Sequence, residues 1–77
     1  MNSNDIDCGI NIEITRLGST TGFFVGQEYL DNRKLDAEGV VYGFVPGHGG
    51  DVWWIKHNDG TKAVYMHDEF ESLKITP

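Results

Sequence analysis

The chain lacks most of the devices that stabilise or address a small protein. Among its 77 residues there is one cysteine, Cys8, so no disulfide can form within it. No apolar run approaches the roughly 20 residues that span a bilayer. Basic residues are scarce, six against twelve acidic ones, and the formal charge at pH 7 is −6. Duplex-DNA binders usually carry a basic footprint, because neutralising phosphates supplies much of their affinity. Here the field has the opposite sign. The polar, acidic stretch Met1 to Asp7 does not follow the basic-then-apolar layout of a secretory signal. With a lone thiol as well, the expectation is a cytoplasmic protein without a membrane partner. So short a chain buries a modest fraction of its surface. Its packing must suffice, or a homodimer supplies further buried area.

What is present is period-two patterning. Residues 1–8 read as a flexible acidic leader and 9–77 as a single domain. Ile10, Ile12 and Ile14 alternate with Asn11, Glu13 and Thr15, which predicts a half-buried strand. Leu17 to Gly22 is turn chemistry. Phe23 to Tyr29 predicts a less regular strand with Gly26 as a bulge. Asp31 to Glu38 is polar and loop-like, with room for one helical turn, and its Arg33-Lys34 pair reads as solvated. Gly39–Val45 and Asp51–His57 predict strands joined by the glycine-rich loop Pro46–Asp51. Asn58-Asp59-Gly60 is a hairpin turn from which Thr61–Met66 returns. Asp68 to Glu71 carries a capping-box pattern, predicting a helical turn with Phe70 and Leu73 on one side. A short edge strand over Leu73–Thr76 then closes the sheet.

Short strands, tight turns and one late helical turn suggest a small closed or nearly closed barrel. The segments Phe24-Val25-Gly26-Gln27, Gly39-Val40-Val41, Trp54 to Thr61 (WIKHNDGT) and Glu69-Phe70-Glu71 resemble an SH3-like barrel of the Tudor or KOW type. In such domains a "vGq" strand precedes a "GxV" strand, a "DG" hairpin and a closing turn of a glutamate with an aromatic or leucine. The resemblance spans roughly residues 23–76 and leaves the isoleucine strand as an addition. It implies an all-β, SH3-like antiparallel barrel of five or six strands with one short helical turn near the C-terminus. A Tudor likeness implies methylated lysine or arginine ligands, a KOW likeness nucleic acid.

Strand alternation assigns the faces of Asp51–His57. Val52, Trp54 and Lys56 share one side; Trp53, Ile55 and His57 share the other. Lysine is costly to bury and isoleucine favourable, so Trp53 and Ile55 are expected in the core, with Trp54 and Lys56 outside. A two-residue Asp59-Gly60 turn places Trp54 opposite Tyr65. A three-residue turn with Gly60 left-handed places it opposite Val64 and sets Lys56 against Lys62, a like-charge cost that favours the first option. The earlier hairpin leaves two registers open. In one, Tyr42 and Phe44 join the core. In the other, a bulge turns Val41 and Val45 inward and puts Tyr42 and Phe44 outside beside Trp54.

No catalytic constellation emerges. His48, His57 and His67 share no metal-ligand spacing with each other or with Cys8, so no metal or other cofactor is expected. His48 is expected to shape its loop by a hydrogen bond, and His57 to pair with a nearby acid or close one end of the core. Gly47-His48-Gly49-Gly50 leads into a strand, whereas phosphate-cradling loops lead into a helix N-terminus. No serine or cysteine has a nearby base. The expectation is a non-catalytic module that binds a protein or peptide through an aromatic surface. That surface comprises Trp54, Tyr65, Tyr42 and Phe44, with Lys56 at the rim and His48 on the adjacent loop. The alternatives are a KOW-like nucleic-acid-binding domain using Lys56 and Lys62, disfavoured by net charge, and a small acidic inhibitor that mimics nucleic acid.

Overall fold

The isoleucine run becomes a strand of the expected polarity. In the computed structural model, which describes residues 1–73, Asn11–Ile14 forms β1, with Ile12 and Ile14 fully buried. The other strands are β2 (Glu38–Phe44), β3 (Val52–His57), β4 (Lys62–Met66) and β5 (Phe70–Ser72). All pair antiparallel in one sheet, in the order β4-β3-β2-β1-β5. The fold is all-β. No helix among the described residues is long and apolar enough to cross a membrane.

Connectivity makes this sheet curl. Strands β4 and β5 are its two edges, and a flat five-strand sheet would hold them about 19 Å apart. Yet only the 3₁₀ turn His67–Glu69 joins them, and such a turn advances about 2 Å per residue. The sheet therefore bends until its edges approach. It stops short of a barrel, since among the described residues no pairing joins β4 to β5.

Two hydrophobic clusters result. Ile6, Ile12, Ile14, Val41, Ile55, Ala63, Tyr65 and Phe70 fill the concave side. On the convex side Val45, Val52 and Val64 are buried beneath Phe23, Val25, Tyr29 and Leu30. The strand expected over Phe23–Tyr29 is absent. Residues Gln27–Asp31 form instead a short helix, α1, with Gly26 as its extended N-cap rather than a bulge. Tyr29 and Leu30 of this helix, with Val25 just before its N-cap, lay their side chains on the convex face. Gln27 and Asp31, one turn apart, hydrogen-bond at 2.9 Å.

A buried ion pair fastens this cover to the sheet. Arg33, expected to be solvated, is withdrawn from water with Glu69, their side chains 5% and 1% exposed. The guanidinium grips both carboxylate oxygens, and Nη1 also donates to the Val64 carbonyl at 2.8 Å. Its Cζ lies 5.2 Å from the Phe23 ring centre and 5.0 Å from that of Tyr65. The Glu69 carboxylate further accepts the Gly18 N–H and, at 2.8 Å, the Met66 N–H. Beside it, the Asn32 amide donates to the Lys62 carbonyl at 3.0 Å.

Glu69 also explains the late turn. The expected box on Asp68 and Glu71 does not form; the box sits two residues earlier, with Met66 as N-cap and Glu69 closing the 3₁₀ turn. Phe70 then runs extended, opposite Ile14, as the start of β5. Beyond Leu73, the closing strand expected over 73–76 lies outside the described residues. At the other end, the segment expected to be loose carries a 3₁₀ turn at Ser3–Asp5 and buries Ile6. His67 Nδ1 lies 2.8 Å from the Met1 carbonyl, tying this segment to the turn before β5.

Three variants test this arrangement. Arg33→Met strands a buried carboxylate and should destabilise the protein by about 3–5 kcal/mol in chemical denaturation. Adding Glu69→Leu should restore only part of that, because the Gly18 and Met66 N–H groups then lose their acceptor. Gly39→Ala should destabilise comparably. A Cβ there would collide with the Lys56 carbonyl across the β2–β3 pair, where backbone cannot retreat.

Candidate interaction surface

Register decides which side chains reach the convex face. Lys56 pairs with Lys62 and Trp54 with Val64, so the 58–60 turn is the three-residue form with Gly60 left-handed (φ 93°). The expected pairing of Trp54 with Tyr65 is not made. Tyr65 points to the concave side, fully buried, and cannot belong to a surface. Polar chemistry outweighs the lysine repulsion. Lys34 N–H donates to the Tyr65 hydroxyl at 2.9 Å, whose own proton is then directed to His57 Nε2 at 2.7 Å. On the far side of the ring His57 Nδ1 meets Thr61 Oγ1 at 2.8 Å, and that hydroxyl donates to Asp59 at 2.6 Å. Slipping the register would break this chain inside the protein. The like-charge cost of two opposed lysines is only a few tenths to about 1 kcal/mol.

The β2–β3 hairpin resolves its ambiguity with a bulge. Phe44 opposes Trp53, Gly43 opposes Trp54, and the register shifts at Tyr42 before Val41 meets Ile55. Val41 and Val45 are buried, while Tyr42 and Phe44 are 43% and 58% exposed. Only Tyr42 reaches Trp54, with ring centres 6.0 Å apart and planes at 31°. Phe44 turns to the opposite side and packs edge-on against Trp53 at 6.2 Å.

Neither tryptophan has the environment that alternation assigns it. Trp53 is half-buried at the rim of the concave core, its indole N–H without a hydrogen-bond partner among the described residues. Trp54 is also half-buried, because Tyr29 of α1 packs edge-on against it at 4.7 Å. A single-core picture missed the cover supplied by residues 23–30. Ile55 and Lys56 are placed as expected, buried and exposed.

The convex face thus carries Tyr29, Trp54 and Tyr42 in one aromatic row, with Lys56 and Lys62 alongside. Lys62 Nζ stands 5.9 Å from the Tyr42 ring centre. Partial burial pushes the Tyr42 hydroxyl pKa upward, aided by nearby Tyr29, so it remains a hydrogen-bond donor. His48 belongs elsewhere. Its Nε2 accepts the Phe24 N–H at 3.0 Å and its Nδ1 faces the Pro46 carbonyl at 3.0 Å, which shapes the glycine-rich loop and pins Phe24, 81% exposed. A cleft of about 440 Å³ lies near His57, lined also by Asp31, Lys34, Glu38 and Asp59. Both ring nitrogens of His57 are engaged, so it offers no free base there.

Sequence reasoning overlooked Tyr29. Its signal was the adjacent apolar pair Tyr29-Leu30 in an otherwise polar stretch following Val25. Comparison with protein-family models, curated proteins and solved structures found no match to the chain.

Two measurements test the site's construction. Trp54→Ala should cost about 2–4 kcal/mol, while Tyr42→Ala should stay below about 1 kcal/mol; equal losses would contradict the packing described. Burial lowers the His57 pKa from its ordinary value near 6.5, against the opposing pull of Asp59. The unfolded chain therefore binds the proton more readily. The contribution is complete above about pH 6.5 and is lost as pH falls through the lowered folded value. Melting temperature should drop between about pH 7.5 and about pH 5.5, and drop less in His57→Gln.

Proposed function

We propose that this protein is a non-catalytic interaction module that binds a protein or peptide partner on its convex sheet face, centred on Trp54 and Tyr42. One observation carries the reading. The β2 bulge turns Tyr42 to solvent beside Trp54, and the residue opposite the indole is Gly43. A Cβ at Gly43 would sit 3.9 Å from Trp54 Cδ1, in ordinary contact, so the fold does not demand glycine there. Glycine there puts no side chain of its own against that flank of the indole. Bulges commonly re-aim a side chain next to a binding site, and a bare aromatic flank at an interface typically carries a large share of affinity.

An SH3-like relationship is part of the proposal. The curled five-stranded sheet and the short turn before its last strand support it. The Tudor-type ligand fits less well. Tyr29 and Tyr42 each pack directly on Trp54, so neither stands apart from the indole as a separate cage wall, and Lys62 already approaches the Tyr42 face.

The test is affinity capture from the natural source with immobilised protein, followed by mass spectrometry. Wild type and Phe24→Ala should recover the same partner. Tyr42→Ala and Gly43→Leu should keep the wild-type circular dichroism spectrum and lose it. Recovery at wild-type yield by both of the latter variants would move the site off this face.

A further inference from the structure

We propose that the segment bound on this face is an acidic peptide stretch, one or two carboxylates of which are held between Lys56 and Lys62. This rests on the interaction-module reading above and specifies its ligand.

The two lysines face each other across β3 and β4 on the same side as Trp54 and Tyr42. Both are exposed, and no carboxylate among the described residues lies within 4.0 Å of either ammonium. The register that opposes them is fixed by the His57–Tyr65 chain and the two cores, but nothing in those cores requires lysine at either position. In a chain with only six basic residues, two are directly opposed, unpaired among the described residues, beside the exposed ring of Tyr42. A carboxylate placed between them would relieve their repulsion and gain two charge-assisted hydrogen bonds. The Tyr42 hydroxyl is a third donor on that face.

The neighbouring charges limit the ligand's extent. Glu13 pairs with both Glu38 and Glu71, so three acidic residues line up across β2, β1 and β5, two residues along the strands from the lysine row; the Met1 ammonium holds Glu71 at 3.1 Å, which leaves Glu13 and Glu38 to repel an anion there. A long polyanion crossing this surface would run from attraction into repulsion. Single-stranded nucleic acid, with a charge at every nucleotide, is therefore disfavoured. A peptide can confine its negative charge to adjacent residues and remain neutral or basic beyond them.

Chemical-shift titration of the full chain, at about 0.02 M and about 0.15 M salt, tests this. The probe is the capped peptide Gly-Glu-Glu-Leu-Gly-Gly, compared with its Gln-Gln and Lys-Lys counterparts and with a short oligothymidylate. The Glu-Glu peptide should shift the Lys56, Lys62 and Tyr42 amides and the Trp54 indole N–H, more weakly at the higher salt. The Gln-Gln peptide and the Lys56→Gln/Lys62→Gln variant should each show affinity lower by roughly tenfold. Preferential shifts with the Lys-Lys peptide, equal shifts with the Gln-Gln peptide or no shifts at these positions would overturn the inference. Tighter binding of the oligothymidylate would overturn it in favour of nucleic acid. The capture experiment separates the two levels. A natural partner lost on Tyr42→Ala but retained by the double lysine variant leaves the face in place and removes the acidic ligand. Retention by both removes the face itself.

Discussion

The contact on which the rest of the architecture depends is the Arg33–Glu69 pair. It joins the segment that covers the convex face to the turn that carries the chain from one sheet edge to the other. Buried ion pairs are often no better for stability than an apolar replacement, because desolvation offsets their attraction. This one is saturated with partners: two guanidinium–carboxylate contacts, two backbone N–H groups and two backbone carbonyls. Its clearest consequence is geometric. Glu69 can satisfy Gly18, Arg33 and Met66 together only if α1, β4 and the 3₁₀ turn occupy their observed positions. Apolar residues could supply cohesion there but not that directionality.

With the cover held down, the sheet has two unequal faces. The concave side is a conventional core. The convex side divides: Val45, Val52 and Val64 lie under the 23–30 segment, while Tyr42, Lys56 and Lys62 lie beyond it. Trp54 stands on the boundary, its one edge packed by Tyr29 and its other open over Gly43. An indole held in this way needs little further ordering when something settles on its open side, and that favours binding by lowering the entropy lost.

Sequence pattern conveyed much of this and failed in identifiable ways. Ile12, Ile14 and Ile55 were legible as core because alternation is a local property of a strand. The bulge that exposes Tyr42 was legible as one of two registers. Tyr65 was misplaced because the turn was weighed by the repulsion between two lysines, an energy small beside the His57–Tyr65–Lys34 hydrogen bonds that only tertiary structure brings together. Arg33 was misread because a basic pair in a polar stretch normally is solvated. Its partner stands 36 residues away, and no local pattern reports a contact at that separation. Tyr29 was hidden by the assumption of one core.

The same cover has a bearing on solubility. Strand β4 is an edge of the sheet, and its outward backbone groups would ordinarily be free to pair with another chain. In this protein the Lys62 carbonyl is held by Asn32 and the Val64 carbonyl by Arg33. Two successive outward acceptors along the edge are thus occupied by side chains of the chain itself. An incoming strand would have to displace Asn32 and the buried guanidinium before it could donate to these two carbonyls. Resistance to edge-to-edge aggregation is in this way built into the contact that holds the fold together, so partial unfolding of the 17–35 segment would expose a sticky edge along with the convex core.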